Sequence, residues 1–136
     1  MSRKSNAWIA RVVVGATIAT GLSVVAPAAA NALEGCPAGY LCTWRDDWFW
    51  TQSGHEAAKF SMYIPNYSGH FYGNTSFGAS NTATSILNAG RYDTAFMYAG
   101  INKRDRLFEI PVGNSNGLLF GYQNDNIESG YFATYN

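Results

Sequence analysis

Cys36-Pro-Ala-Gly-Tyr-Leu-Cys-Thr-Trp44 runs on into Arg45-Asp-Asp-Trp-Phe-Trp50, and the rest of the chain is organised around this stretch. The stretch holds both cysteines and three of the four tryptophans. In an exported chain, the pair Cys36 and Cys42 predicts one disulfide that closes a small turn in front of the first β-strand. A redox pair would favour Cys-x-x-Cys, and a zinc site would need ligands that the two histidines do not supply at their spacing.

The residues before this stretch have the pattern of an export signal. Residues 1–32 combine a basic start, an apolar run from Val12 to Val25, and small residues around Ala30 and Ala32. The apolar run is shorter than the roughly 20 residues that a membrane span needs. We therefore predict a cleaved signal peptide, a cut after Ala30 or Ala32, and one secreted domain of residues 33–136.

Charge and motifs exclude several classes of function. The predicted mature chain has six basic and nine acidic residues, which suits neither nucleic acid nor an anionic membrane surface. Gly-x-Ser-x-Gly, His-Glu-x-x-His and a phosphate-cradling loop are all absent from the sequence. Asp46-Asp47, the only adjacent acidic pair of the mature chain, is interpreted as a solvated turn. We predict a monomer that is not an enzyme.

Short aromatic and β-branched segments, separated by Gly, Asn and Pro, predict an all-β domain. The predicted strands are Tyr40–Arg45, Phe60–Ile64, Thr84–Asn88, Thr94–Tyr98, Leu107–Ile110 and Tyr131–Tyr135. Glu56–Lys59 is compatible with a short helix, 113–117 with a turn, and Leu118–Tyr122 with a strand or a helical turn. Seven or eight strands at this spacing indicate a sandwich or a barrel.

The motif Cys36-Pro-x-Gly-x-x-Cys42-x-Trp44 resembles the start of the mature domain in the streptomycete metalloproteinase-inhibitor family. That family consists of small secreted peptidase inhibitors with a βγ-crystallin-like fold. The resemblance implies two Greek-key motifs packed as a β-sandwich, and a protein partner such as an extracellular protease. The second disulfide of the characterised inhibitors has no counterpart here. The nearest equivalent of their protease-contact loop is the charged loop Gly100, Ile101, Asn102, Lys103, Arg104, Asp105 and Arg106.

A crystallin-like module with a structural, calcium-linked or toxin-like role is an alternative that the same resemblance implies. The calcium-binding pattern has two Asn or Asp, two variable residues, Ser or Thr, and then Ser. Two incomplete copies occur, Ser80–Ser85 and Asn124–Ser129, in which Ser80 and Glu128 depart from the pattern. The candidate ligands are Asn81, Ser85, Asn124, Asp125 and Ser129. Since calcium takes six to eight oxygen ligands, we expect weak binding or none, and hence no cofactor.

The aromatic trio Trp48-Phe49-Trp50 suggests a third hypothesis, a glycan-binding module. In a strand, Trp48 and Trp50 would share one face and Phe49 would lie on the other. The trio either packs as core with a covering edge or leaves an aromatic surface for a ligand. One weak internal repeat also stands out, because Asn81-x-x-x-Ser85 recurs as Asp125-x-x-x-Ser129.

Overall fold

The computed structural model describes residues 35–51 and 56–136. The predicted signal peptide lies outside these residues. The described chain forms two four-stranded antiparallel sheets that pack face to face, so the prediction of an all-β sandwich is confirmed. Across the two described ranges, no helix has the length and apolar character of a membrane span.

The strands follow one another in two sets of four along the chain. They are β1 (Leu41–Trp44), β2 (Ala58–Phe60), β3 (Tyr63–Ile64), β4 (Ser85–Asn88), β5 (Ala95–Gly100), β6 (Arg104–Ile110), β7 (Ser115–Asn116) and β8 (Ser129–Phe132). The sheet orders are β2-β1-β4-β7 and β3-β8-β5-β6. Each set therefore places three strands in one sheet and its third strand in the other. This exchange is the predicted pair of Greek-key motifs.

The predicted strand Phe60–Ile64 is wrong, because two strands of different sheets replace it. Phe60 ends β2 and lies opposite Leu41 in the first sheet, whereas Ile64 ends β3 and lies opposite Gly130 in the second. The chain crosses between the sheets over two bend residues, Ser61 and Met62. Phe60 and Ile64 are buried, but Met62, which alternation would place on the same face, is 50% exposed. The alternating pattern is therefore right at the two ends of the segment and wrong where the chain changes sheet.

The predicted loop Gly100–Arg106 is also corrected, because most of it is a β-hairpin. Gly100 ends β5, Arg104 begins β6, and the two residues pair across the hairpin. Only residues 101–103 form the turn. Hydrogen bonds to β5 thus hold a charged segment, Arg104 to Arg106, in strand geometry despite its polar sequence.

Four further segments differ from the sequence prediction. The predicted turn 113–117 contains the short strand β7, which completes the first sheet beside β4. Leu118–Tyr122 is irregular and runs into a 3₁₀ turn at Gly121–Gln123. The last strand ends at Phe132, and Ala133–Tyr135 forms another 3₁₀ turn. Glu56–Lys59 is not the short helix that the sequence allowed, because its last two residues begin β2.

The core has a large part between the sheets and a small part beside the disulfide. The large cluster is built from residues of both motifs, including Leu41, Phe60, Ile64, Ile86, Met97 and Phe132. The small cluster joins the Cys36–Cys42 disulfide to Trp44, Leu87 and Ala89. The predicted disulfide is therefore confirmed, and it anchors the first turn to the start of β1.

Candidate functional site

The sandwich has two ends, which the strand directions define. β1 and β5 run from one end to the other, and β4 and β8 return antiparallel to them. The end where β1 and β5 finish carries two folded turns, residues 46–50 and 100–104, and we name it the turn end. The opposite end carries the disulfide turn and the chain terminus, and we name it the cleft end.

The first folded turn holds the aromatic trio, which therefore does not lie in a strand. Asp47–Phe49 form a 3₁₀ turn in which Trp48 and Phe49 have positive φ angles of 52° and 60°. The Trp48 N–H donates to Gly117 O at 2.6 Å, and the Phe49 N–H donates to Ser85 Oγ at 3.2 Å. These bonds fix the turn against the first sheet.

The three aromatic side chains of this turn divide between core and surface. The Phe49 ring packs edge-on against the buried Trp44, with ring centroids 5.2 Å apart. Trp48 and Trp50 are 70% and 59% exposed. The Trp48 ring lies so close to Gly117 that a Cβ at that glycine would come within 2.7 Å of it. The core interpretation therefore holds for Phe49 and fails for the two tryptophans.

The second folded turn has the same backbone with different side chains. Asn102 and Lys103 have positive φ angles of 55° and 65°. The Asn102 N–H donates to Pro65 O at 2.9 Å, and the Lys103 N–H donates to Ser129 Oγ at 3.4 Å. The Lys103 ammonium lies 4.7 Å from the centroid of the Tyr131 ring. The turn is therefore fixed and folded back on its sheet, although every residue from 101 to 106 is exposed.

The two serines of the predicted repeat are the tethers of these turns. Ser85 Oγ donates to Asp46 O and Ser129 Oγ donates to Gly100 O, both at 2.7 Å. Each hydroxyl thus donates to one end of its turn and accepts an N–H from the middle. Both serines are fully buried. Sequence reasoning found the repeat but missed its role, because the turns lie far from the serines in the chain.

The two copies of the calcium-like pattern also meet each other. The Asn81 N–H donates to Ile127 O and the Asp125 N–H donates to Ala83 O, both at 3.1 Å. The Glu128 carboxylate accepts bonds from Ser80 Oγ and Asn81 Nδ2, each 2.7 Å long. Glu128, the residue at which the second copy differs from the calcium-binding pattern, therefore connects the second copy to the first.

The candidate calcium ligands already make hydrogen bonds within the protein. Ser85 and Ser129 use their hydroxyls on backbone groups, and Asn124 Nδ2 donates to Asp125 Oδ2 at 2.8 Å. Each serine hydroxyl donates one bond and accepts another, which leaves one lone pair of its oxygen for a cation. No cluster of three or more His, Cys, Asp or Glu side chains that could hold a metal occurs in the described residues.

Two buried tyrosines lie beneath this pair of loops. Burial raises the pKa of Tyr72 to about 12, an effect that the 3.1 Å hydrogen bond donated by Thr82 Oγ1 partly offsets. Burial also raises the pKa of Tyr67 above its usual range. The Tyr67 N–H donates to Glu128 O, and the counterpart of this bond in the other motif runs from the Leu119 N–H to Thr84 O. The two loops are thus supported by equivalent backbone bonds.

The fold is similar to solved βγ-crystallin structures. A beta gamma crystallin from Ciona intestinalis aligns over 69% of this chain and 99% of its own, with a TM-score of 0.53 and 14% identity. A second solved structure, described as "Evolution of the eye lens beta-gamma-crystallin domain fold", aligns over 74% of this chain and 91% of its own, with a TM-score of 0.58 and 17% identity. No protein-family model and no curated protein matches the chain. These likenesses establish a βγ-crystallin-like fold.

Proposed function

We propose that this chain is a secreted, non-enzymatic protein that binds a protein partner through the turn end, and that the partner is an extracellular metalloprotease. The observation that carries the proposal is the display of Trp48 and Trp50 on a turn whose backbone is fixed by hydrogen bonds. Tryptophan is among the residues that contribute most to binding at protein interfaces.

The backbone of the first turn supports a binding role for its side chains. Bulky residues rarely adopt positive φ, yet Trp48 and Phe49 both do so. Such strain costs on the order of 1 kcal/mol or more per residue, and it concentrates at functional positions. The strain at Phe49 is offset by its contact with Trp44, whereas the mostly exposed Trp48 ring has far less packing to offset its own.

The rigidity of both turns favours an inhibitor-like contact. A surface that is already ordered loses little conformational entropy on binding, and this raises affinity without new contacts. The second turn adds the cationic side chains Lys103 and Arg104 to the same end of the sandwich. A partner with an apolar cleft beside acidic groups would complement the two turns together.

The test is inhibition of a thermolysin-like metalloprotease by the purified protein at micromolar concentration. We expect slowed peptide hydrolysis, and a loss of about tenfold or more in affinity for Trp48→Ala and for Trp50→Ala. Tyr92→Ala is the matched control, since Tyr92 is an exposed aromatic residue near the start of β5, at the cleft end. Full protease activity in the presence of the protein would count against metalloprotease inhibition. If all three variants lose affinity for the protease equally, the turn end is not the contact surface.

A further inference from the structure

A cleft of about 440 Å³ opens at the cleft end of the sandwich. Its walls come from the disulfide turn, the connection between β4 and β5, and the chain terminus after β8. Its lining includes the side chains of Arg91, Tyr92, Asp93 and Tyr135. The volume lies in the range typical of small-ligand sites.

The first wall of the cleft is held by the disulfide turn. The Cys36–Cys42 bond closes this turn, and the Gly39 N–H donates to Ala89 O at 2.7 Å. The turn is therefore joined to the β4–β5 connection on the other side of the cleft. Such a wall keeps its shape without a ligand, which lowers the ordering cost of binding.

The β4–β5 connection is fixed by one buried side chain, Asn88. Its Nδ2 donates to Asp93 O at 3.0 Å and to Ile110 O at 2.8 Å, and its Oδ1 accepts the Gly90 N–H at 2.8 Å. A Cβ at Gly90 would come within 2.6 Å of both Asn88 Oδ1 and the Phe132 ring, so only glycine fits there. The residues that follow, Arg91 to Asp93, are thus presented from a rigid base.

The polar groups of the cleft have opposite charges that do not neutralise each other. Arg91 makes no ion pair with any described residue, Asp93 included. The Asp93 carboxylate accepts a 2.6 Å bond from Thr134 Oγ1, which ties it to the chain terminus. The cleft therefore offers a fixed carboxylate and an uncommitted guanidinium beside aromatic rings. Tyr92 is 87% exposed, and Tyr135 is also exposed.

We propose that this cleft is a binding site for a pyranose sugar. A sugar hydroxyl can donate to Asp93 and accept from Arg91, whereas a simple anion would satisfy only the guanidinium. The apolar C–H face of a pyranose ring matches the flat tyrosine rings, as apolar and aromatic walls with a few polar groups are usual in ligand sites. The site goes beyond the proposed protein contact, because it lies at the other end of the sandwich and shares no residue with the two turns.

The test is a titration of the isotope-labelled protein with glucose, galactose, N-acetylglucosamine and glucuronic acid, followed by amide NMR spectra. We expect at least one sugar to shift the amides of Gly39, Gly90 and Arg91, with a Kd on the order of 1 mM or tighter. Tyr92→Ala and Arg91→Ala should each raise the Kd for that sugar by about tenfold. Both side chains are exposed, so neither change should affect folding.

Trp48→Ala is the control for the sugar titration, because this residue belongs to the turn end. It should leave the sugar affinity unchanged, so the outcomes for the two ends of the molecule are separable. Benzoate serves as a second control, since it has a flat ring and a carboxylate without hydroxyls. The proposal is overturned if none of the four sugars shifts these amides, if benzoate binds as tightly as the best sugar, or if Trp48→Ala abolishes the shifts.

Discussion

The two folded turns at one end of the sandwich share a backbone and differ in their side chains. Trp48 and Phe49 in the first turn correspond to Asn102 and Lys103 in the second, with matching positive φ angles. Each turn donates one N–H to the opposite motif and is tethered by one buried serine. The comparison teaches that backbone bonds and serines determine the shape, and that the exposed side chains are free to differ with function.

The largest expected effect is a loss of stability when either buried serine is replaced, and it tests whether the two serines have the same role in their turns. Ser85→Ala and Ser129→Ala each remove a buried hydroxyl that donates one bond and accepts another. We expect each to lower the free energy of unfolding by about 2–3 kcal/mol, because a backbone carbonyl and an N–H lose their partner. Denaturant unfolding measures both losses on one scale.

Ser115→Ala is the control for the serine pair, since Ser115 is exposed on β7. It should change the unfolding free energy by less than about 0.5 kcal/mol. If one of the two substitutions lowers the unfolding free energy several times more than the other, the two turns are not equivalent.

A second prediction extends the comparison to the residues beneath the turns, where Tyr67 corresponds to Leu119. Since burial raises the pKa of Tyr67, the folded protein keeps this proton above pH 10 while the unfolded chain loses it. The stabilisation is therefore complete below about pH 10 and falls as the pH rises further, by about 1.4 kcal/mol per pH unit for each such group. Denaturant unfolding at a series of alkaline pH values measures this slope.

Tyr67→Phe should reduce the fall of the unfolding free energy above pH 10 by about 1.4 kcal/mol per pH unit, the contribution of one group. Near neutral pH it should change the free energy of unfolding by less than about 1 kcal/mol, because the Tyr67 hydroxyl makes no standard hydrogen bond among the described residues and Thr43 affects its pKa less than burial does. Leu119→Ile changes a side chain that does not titrate, so it should leave the slope as it is. An undiminished slope in Tyr67→Phe would assign the alkaline effect to other tyrosines.

The smallest effect comes from exchanging the residues at equivalent positions. Asparagine tolerates the left-handed conformation better than tryptophan, so Trp48→Asn should raise the free energy of unfolding by about 0.5–1 kcal/mol. Asn102→Trp should lower it by a similar amount. Thermal unfolding of the two variants shows whether the first gains stability and the second loses it. A loss of stability in Trp48→Asn would mean that contacts of the tryptophan ring outweigh its backbone strain.

Part of this architecture was predictable because it is local. The disulfide turn, the β4 segment and the all-β class follow from cysteine spacing, β-branched runs and turn residues that act over a few positions. The crossing at Ser61 and Met62 was not predictable, because the sequence pattern continues through it while the partner strand changes and Met62 becomes exposed. The same holds for β7, whose polar residues pair only because β4 presents an open edge.

The candidate sites divide in the same way. The sequence singled out Trp48, Trp50 and the repeat that contains Ser85 and Ser129, since each is a local pattern. It did not indicate that the serines hold the turns, and it did not indicate the cleft at the other end. Arg91 and Tyr92 are unremarkable beside their neighbours in the chain. They line a cleft because the disulfide turn and the chain terminus close around them.

By itself, the sequence determined the all-β class and the disulfide, which depend on neighbouring residues, whereas the two Greek-key motifs were predicted only through the family resemblance. The tertiary structure decided which strand each motif gives to the other sheet, which aromatic side chains stay exposed, and which distant groups meet. The physical reason is that burial and hydrogen-bond partners are properties of the packed chain. Phe49 and Trp50 are adjacent aromatic residues, and only the folded turn places the first against Trp44 and the second in solvent.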